Sequence, residues 1–416
     1  MAITIRYEIK ALLLLGLALL SYTADGQNSY GDRRGLTAGG GATVFNVNSY
    51  GAKANGKTDN VQAFMKAWNA ACKSDSPAKL VIPEGTYLAG QVAFQGPCSS
   101  PIIVEVQGTI KAQNDLSEYP SAEWFSFESI DGLELTGGGT FDGQGPEVWK
   151  YNDCHGGSNC QLLPHSLAFA KVRNAVIHDI NSVNSKSFHM IMSFCQHIAI
   201  HNCHLTAPED SPNTDGLHIS TSSFVSVTSS VIGTGDDCIS LGQGSTDISI
   251  SEITCGPGHG ISIGSLGKYK NEQDVKGIHV QSCKFSGTTN GVRIKTWPGS
   301  MPSAASSITF QDIEMDSVKN PIVIDQCYGS KSSEVNIIPS QVKISDVLFK
   351  NIWGTTISDV AVNLVCSPSV PCQGVKLVDI NLSFNGRLRK DSFFKSSCLF
   401  AKVSTSGRQN PPPCHH

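Results

Sequence analysis

The stretches VSVTSSVI (residues 225–232) and ISISEITC (residues 248–255) share one order of positions: apolar, any, apolar, any, any, apolar, any, apolar. The same order recurs along much of the chain. The further segments begin at Ala175, Ile198, Ile278, Ile308, Val342 and Val375. Since the segments are short, rich in β-branched residues and separated by turn-forming residues, they predict β-strands and not helices.

The spacing of these segments predicts how the strands are arranged. The second apolar position falls at Ile177, Ile200, Val227, Ile250, Val280, Phe310, Ile344 and Leu377, in steps of 23 to 34 residues. A strand that recurs at this period, with no helical pattern between, is typical of a solenoid built of β-coils. We therefore predict an all-β chain folded as a parallel β-helix.

Inward positions of such a stack form columns of similar side chains. The sixth position gives Ile180, Cys203, Ser230, Ile253, Cys283, Ile313, Val347 and Ile380. Cys203 and Cys283 are thus predicted to be small buried core groups outside any disulfide. The cluster HNCH (residues 201–204) is not expected to bind zinc, because Cys203 points inward and a fourth ligand is not evident.

The N-terminal part of the chain predicts export and a helical cap on the stack. Arg6 and Lys10 precede an apolar run, residues 11–20, that is too short to span a bilayer, and small residues follow up to Ala24. We predict a signal peptide over residues 1–24, then one domain over residues 25–416, in a secreted, extracellular protein. Residues 58–72 predict an amphipathic helix that caps the first coil, with Asp59 as N-cap. Its apolar stripe consists of Val61, Phe64, Met65, Trp68 and Ala71.

The composition limits the class of partner. The chain has 416 residues, 16% of them charged, and a net charge of −4, so there is no broad basic surface for nucleic acid or an anionic membrane. Fourteen cysteines fit an oxidising compartment. Candidate disulfides are Cys72/Cys98, Cys154/Cys160, Cys238/Cys255, Cys366/Cys372 and Cys398/Cys414, although the sequence does not fix the pairing. A single glycosylation sequon begins at Asn381.

A second column carries chemical groups. Four segments align on the same coils: they are DGLHIS from Asp215, DCISLG from Asp237, HGISIG from His259 and NGVRIK from Asn290, and NPIVID from Asn320 continues the series. The third and fifth positions are apolar and should face the core. Asp215, Asp237 and His259 should therefore lie in line on consecutive coils, about 4.8 Å apart. Arg293 and Lys295 should project beside them from the next coil.

These groups predict a shallow charged groove on the outside of the solenoid. Serine and glycine occupy the outward positions between the charged residues, and strict alternation would place Asp236 and Asp237 on opposite sides of the strand. A kink at Gly233–Gly235 is therefore predicted. Aspartates often do no more than cap turns. Three crowded carboxylates, however, repel one another, and this unfavourable clustering favours a functional role for them. Paired carboxylates are what glycoside hydrolysis requires, and an Arg/Lys pair suits a sugar with its own carboxylate.

Five motifs in order resemble the polygalacturonases, the pectin hydrolases of glycoside hydrolase family 28. They are NTD (residues 213–215), GDDC (235–238), GHG (258–260), RIK (293–295) and Tyr328 in DQCYG. The stretches YGAKANGKTDNVQAFMKAW and IPEGTY extend the resemblance over nearly the whole chain after the leader. It implies a right-handed, single-stranded, pectin lyase-like β-helix. Loops such as NSKSFHMIMSFC are most similar to plant exopolygalacturonases of the pollen type.

The resemblance also implies roles for particular residues. Asp236 would be the general acid, Asp215 and Asp237 would activate the water, and His259 would tune the acid. Arg293 and Lys295 would bind galacturonate, while Tyr328 and Asn213 would line the site. The implied reaction is inverting hydrolysis of α-1,4-galacturonosyl bonds in polygalacturonate, by a monomer that needs no metal or cofactor. Lys268, Lys270 and His189 are candidate further contacts.

Several alternatives stay open at this stage. An endo-acting polygalacturonase fits the same motifs. A pectate lyase would use calcium and an arginine base and would be inhibited by a chelator. A rhamnogalacturonan hydrolase shares the architecture. A catalytically silent wall-binding β-helix protein would have no need of three crowded carboxylates.

Overall fold

The computed structural model describes residues 41–152, 163–330, 338–386 and 393–414, which form stacked coils of short strands. Strands of successive coils pair in parallel throughout these ranges, and they make up three faces of a right-handed parallel β-helix. The predicted fold class is confirmed. Strands are numbered along the chain.

The first face contains the sequence repeat. Its strands are β1 (Thr43–Asn46), β3 (Ala78–Ile82), β6 (Ile102–Val106), β9 (Asp131–Thr136), β12 (Arg173–His178), β15 (Gln196–His201), β18 (Ser223–Thr228), β21 (Thr246–Ser251), β24 (Val275–Gln281), β27 (Ser303–Val318), β29 (Val342–Thr356), β31 (Cys372–Phe384) and β33 (Ala401–Asn410).

The second face follows the first in each coil and merges with it in the long strands from β27 onward. Its separate strands are β2 (Asn55–Asp59), β4 (Thr86–Ala89), β7 (Thr109–Ala112), β10 (Thr140–Asp142), β13 (Asn181–Val183), β16 (His204–Thr206), β19 (Val231–Gly233), β22 (Thr254–Cys255) and β25 (Lys284–Ser286).

The third face forms its own sheet and carries the charged column. Its strands are β5 (Val92–Gln95), β8 (Glu123–Glu128), β11 (His165–Ala170), β14 (Met190–Ser193), β17 (Leu217–Ser220), β20 (Ile239–Leu241), β23 (Ile261–Leu266), β26 (Asn290–Thr296), β28 (Asn320–Asp325), β30 (Val360–Val365) and β32 (Lys395–Leu399).

The predicted capping helix is confirmed as α1 (Val61–Cys72), whose apolar stripe packs on the core. Trp68 stacks on Phe94 with ring centroids 4.4 Å apart. The predicted N-cap is off by one residue: Asn60 occupies that position, although Asp59 still accepts a hydrogen bond from the Val61 amide at 2.9 Å. Short 3-10 helices span Val47–Tyr50, Leu116–Glu118, Gly145–Glu147 and Trp149–Tyr151.

Strand register confirms the core columns except in one coil. Val280 pairs with Phe310 as predicted, but Phe310 then pairs with Phe349 and not with Ile344. The sixth position of that coil is likewise Ile352 in place of Val347. The alignment from Val342 satisfies the whole apolar pattern, and the alignment from Val347 satisfies it up to its last position, which is Gly354. The connection that leads into β29 is longer than those before the two preceding strands of the first face, and the apolar pattern alone does not give its length.

Four of the proposed disulfides are present: Cys72–Cys98, Cys238–Cys255, Cys366–Cys372 and Cys398–Cys414. The proposed pair Cys154/Cys160 lies outside the described residues. Cys203 and Cys283 are buried free thiols as predicted, and burial raises the pKa of each to about 12.

The described ranges contain no helix long and apolar enough to cross a membrane. The predicted signal peptide, residues 1–24, lies outside them.

Candidate active site

The charged column lies where the chain passes from the second face to the third. Asp215, Asp237 and His259 each precede by two residues a strand of the third face, and those strands, β17, β20 and β23, pair in register. β26 continues the stack and carries Arg293 and Lys295. The predicted alignment on consecutive coils is confirmed.

Asp237 anchors the two cations. Its Oδ1 accepts a hydrogen bond from Arg293 Nη2 at 2.9 Å, and its Oδ2 accepts one from Lys295 Nζ at 2.7 Å. Ser262 donates to Asp237 Oδ1 at 2.8 Å and accepts from Arg293 Nε at 3.0 Å. The cationic pair at this end of the groove is therefore bonded to the carboxylate of Asp237.

This pairing sets the protonation of Asp237. Its side chain is only 1% exposed, and burial alone would raise its pKa, but Lys295 and Arg293 outweigh burial and lower the pKa below the ordinary value. Burial likewise acts to lower the pKa of Lys295, and the carboxylate of Asp237 reverses the balance and raises it. Asp237 is thus held ionised and Lys295 protonated.

Asp215 is in the opposite situation. It is 6% exposed, and among the described residues its one side-chain hydrogen bond comes from Ser240 Oγ, at 2.8 Å from Oδ2. Burial, and then the nearby Asp236 and Asp237, raise its pKa well above the ordinary value of 3.8. The carboxyl of Asp215 therefore retains a proton in a pH range where an ordinary carboxyl has lost it.

Asp236 is the carboxylate that opens onto the groove, with 22% of its side chain exposed. Its Oδ1 lies 3.0 Å from His259 Nδ1 and accepts a hydrogen bond from the Asp237 amide at 2.8 Å. Asn213 Nδ2 lies 3.5 Å from Asp236 Oδ2. His259 and Asn213, which the resemblance places at the site, therefore both lie within hydrogen-bonding distance of Asp236.

Asp236 and Asp237 both reach the same side, as predicted. One carboxylate oxygen from each and a ring nitrogen of His259 lie within 4.8 Å of one another. The two aspartates lie in the irregular segment between β19 and β20, so strand alternation does not apply to them. Gly235 allows this close turn, because a Cβ there would lie 2.0 Å from the Ser211 carbonyl oxygen.

Aromatic side chains extend the cationic end of the groove. The ring of Tyr328 lies 5.9 Å from Arg293 Cζ and 5.1 Å from Lys295 Nζ. Trp297 meets Tyr328 edge-on at 5.1 Å, and Lys268 Nζ lies 5.6 Å from the ring of Trp297. Trp297 was not among the residues predicted from the sequence, although its place two residues after the RIK motif was a usable signal.

Two other sequence-based expectations are corrected. His189 does not contact the groove: it is fully buried, and its Nδ1 lies 2.9 Å from Ser182 Oγ. Ser240 and Ser262 are not empty spacers facing solvent, because both are buried and hydrogen-bonded to the catalytic candidates Asp215 and Asp237. Asp215 and His218 contact Ser240, and Asp237 and Arg293 contact Ser262.

The trio of Asp236, Asp237 and His259 has the donor types of a metal site. Its chemistry does not fit one well. Arg293 and Lys295 already occupy both oxygens of Asp237, and a divalent ion there would face two positive charges.

A long connection flanks the groove on the side of the lower-numbered coils. The connections from the second face to the third span residues 143–164, 184–189, 207–216, 234–238, 256–260 and 287–289 in successive coils. The first of these is by far the longest, and residues 153–162 of it lie outside the described ranges. Trp149 Nε1 donates to the Ser185 carbonyl at 3.1 Å, and Asn152 Nδ2 donates to Asn213 Oδ1 at 3.4 Å. We call residues 143–152 the wall segment.

Comparison with protein families gives one match over most of the chain. The model for glycosyl hydrolases family 28 matches residues 72–404, and a model for rhamnogalacturonase A/epimerase, pectate lyase-like proteins matches residues 44–95.

Relatives with curated names include two similar over nearly their full length. An Arabidopsis thaliana protein named exopolygalacturonase is 48% identical, covering 98% of this chain and 96% of the relative. An exopolygalacturonase of Platanus acerifolia is 47% identical, covering 91% of this chain and 99% of the relative.

Solved structures support the fold. The exopolygalacturonase from Thermotoga maritima superposes with a TM-score of 0.71 at 16% identity, covering 87% of this chain and 90% of that one. An endo-xylogalacturonan hydrolase from Aspergillus tubingensis gives 0.74 at 24% identity, with coverage of 88% and 100%.

Proposed function

The chain belongs to glycosyl hydrolases family 28, and from this premise we propose that it is a polygalacturonase that releases galacturonate from the ends of polygalacturonate chains. The observation that carries the proposal is the juxtaposition of three carboxylates, Asp215, Asp236 and Asp237, with Arg293 and Lys295. It combines acid–base groups with a binding site for an acidic sugar.

Asp236 is assigned as the general acid. It is the carboxyl of the three that opens onto the groove, and His259 and Asn213 fix its two oxygens. Asp215 and Asp237, behind it, are assigned to hold and activate the attacking water. An acid and a base on opposite sides of a glycosidic bond, with water between them, give inversion of configuration.

The two proposed bases differ in protonation in the substrate-free site. Burial, and then the nearby carboxylates of Asp236 and Asp237, raise the pKa of Asp215, so this carboxyl holds a proton to higher pH than an ordinary one. Lys295 and Arg293 lower the pKa of Asp237, so this carboxylate stays ionised. Of the two proposed bases, Asp237 is therefore the one ready to accept a proton from water.

The cations remain able to bind substrate while they hold Asp237. Arginine has five N–H donors in a fixed fork, and the contacts to Ser262 and Asp237 use two of the three nitrogens. Arg293 Cζ and Lys295 Nζ lie 5.9 Å and 5.1 Å from the centre of the Tyr328 ring. A galacturonate carboxylate would accept hydrogen bonds from the remaining donors of the two cations beside this ring.

The wall segment supports action at chain ends. It packs on the next coil through Trp149 and reaches Asn213, which itself contacts Asp236. Sugar units on that side of the scissile bond would meet the wall segment, whereas a groove open at both ends would let a long chain pass.

We also propose that the protein is secreted, as a monomer, and acts on cell wall pectin. Four disulfides in the described ranges fit an oxidising compartment. The leader-like residues 1–24 and the exopolygalacturonase names of its relatives agree with this location.

The deciding experiment is the product profile of the mature protein on polygalacturonic acid at low conversion. The expected products are galacturonate alone, with little loss of viscosity. NMR of the anomeric proton should show that the sugar is first released with inverted anomeric configuration. Mixed oligomers with rapid loss of viscosity would replace exo action by endo action. Unsaturated products that disappear with a chelator would indicate a lyase, and binding without any product would indicate a wall-binding protein.

A further inference from the structure

A second outward column runs along the second face, away from the groove. Thr254, Lys284, Glu314, Trp353 and Asn381 pair one after another in register across successive coils. Their neighbours one residue along the chain point inward: Cys255, Phe285, Met315 and Leu382 are buried. Strand alternation therefore turns the column itself toward solvent.

Trp353 is an unusual residue in such an exposed position. It is 37% exposed and borders a shallow hollow of about 370 Å³. The hollow is lined on its other sides by polar groups, among them the ion pair of Lys284 and Glu314 at 3.0 Å, with Glu252 and Asp312 beside it. An exposed indole next to hydrogen-bonding groups resembles a binding surface for a partly apolar, hydroxyl-rich molecule.

Asn381 lies directly beside this indole. It begins Asn381-Leu382-Ser383, the single sequon of the sequence. Leu382 is buried in the core, so Asn381 and Ser383 point outward on either side of it. Within the described ranges the Asn381 carboxamide forms no hydrogen bond, and its backbone is about 4.8 Å from that of Trp353.

We propose that Asn381 carries an N-linked glycan whose first sugar packs on the Trp353 indole and extends over the hollow. The modification forms a bond from Nδ2 to the anomeric carbon of an N-acetylglucosamine. The bond from that carbon to a lipid-linked pyrophosphate carrier breaks, the carrier leaves with the electron pair, and the carboxamide loses one proton. This inference rests on the proposed secretion, but not on the catalytic assignment.

The packing follows from the chemistry of both partners. Each pyranose ring has a face of C–H groups that covers an indole, and its hydroxyls point to the sides. The column places the acids of the hollow beyond Trp353, where they can accept hydrogen bonds from those hydroxyls. The glycan would thereby cover the exposed indole and shield it from solvent.

The first test is whether the modification exists. The full chain is expressed in a eukaryotic secretory host, and the secreted protein is analysed by intact mass and peptide mapping before and after peptide N-glycosidase. We expect a glycan at Asn381 that Ser383→Ala abolishes and that Ser383→Thr retains. Secreted protein with an unmodified Asn381 would overturn the proposal.

The second test is whether the sugar covers Trp353. Hydroxyl-radical footprinting of the secreted protein should label Trp353 several-fold less in the wild type and in Ser383→Thr than in Ser383→Ala. Equal labelling of Trp353 in all three would overturn the packing. Hydrolysis of polygalacturonate should be equal in the three proteins, so failure here is distinguishable from failure of the proposed function.

Discussion

Two columns run through the same coils, and they obey opposite rules. In the core column, Ile200, Val227, Ile250 and Val280 stack on one another, and each gains by having a similar neighbour. In the groove column, Asp215 and Asp237 occupy equivalent places on successive coils, and the charge of Asp237 disfavours ionisation of Asp215. Register brings like groups together in both columns. It stabilises the fold in the first and builds a reactive site in the second.

The largest expected difference between the columns comes from removing the carboxyl of Asp236 in the groove, which should affect activity and not stability. Asp236→Asn should lower kcat on polygalacturonate by about 10²- to 10⁴-fold, since it removes the proposed general acid, while thermal stability changes little. Asp75→Asn, at an exposed position far along the stack, is the matched control and should retain full activity. Substantial activity in Asp236→Asn would assign the acid role elsewhere.

The groove column itself divides into a paired and an unpaired acid. Asp237→Asn leaves Arg293 and Lys295 without their carboxylate, so we expect a loss of about 3–5 kcal/mol in the free energy of unfolding. Asp215→Asn removes a repelled carboxyl and should not destabilise the fold at neutral pH. Urea denaturation of the two variants tests this contrast, and similar losses in both would contradict it.

The core column should respond in stability alone. Ile250→Ala is expected to lower the free energy of unfolding by about 2–5 kcal/mol, through lost burial and the cavity left behind. Activity per folded molecule should be unchanged. Ile338→Ala, at a position 71% exposed, is the control and should have little effect. A loss of activity without a loss of stability in Ile250→Ala would mean that the core column also influences catalysis.

pH should act on the columns differently. The native pKa of Asp215 is raised above 3.8, so the native state keeps a proton that the unfolded chain has lost. Stability contributed by this group is complete below the unfolded pKa and declines as pH rises through the raised native value. The free energy of unfolding, measured at a series of pH values across that window, should fall less steeply for Asp215→Asn than for the wild type. An equally steep fall in the variant would mean that groups other than Asp215 cause the pH dependence.

The smallest effect should come from the edge of the groove. Lys268 lies over Trp297 at the cationic end, and Lys268→Ala should raise KM by roughly twofold to fivefold with kcat unchanged, as suits an exposed ion contact. Lys276→Ala, at an exposed position of β24 on the first face, is the control. Equal KM values for the two variants would exclude Lys268 from substrate contact.

The periodic features were predicted well from the sequence, because both columns consist of residues that alternate and recur once per coil. The predictions failed for features that do not repeat from coil to coil. Ile344 was placed in the core column when Phe349 belongs there, since two overlapping apolar patterns compete within β29. Ser240 and Ser262 were interpreted as small spacers facing solvent, although both are buried and donate hydrogen bonds to Asp215 and Asp237. The contact of Asn152 with Asn213 depends on the path of a long connection, which no local pattern encodes.

The wall segment has a consequence for how the reaction would scale. An enzyme stopped on one side of its cut handles chain termini, so its rate depends on the number of termini and not on the mass of polymer. Polymer of a given mass would be degraded slowly when the chains are long, and faster after each internal break made by another agent. Trp149 and Asn152 form the hydrogen bonds of the wall segment to the neighbouring coils. These two residues would thus determine whether the rate follows the number of polymer chains or the total number of sugar units.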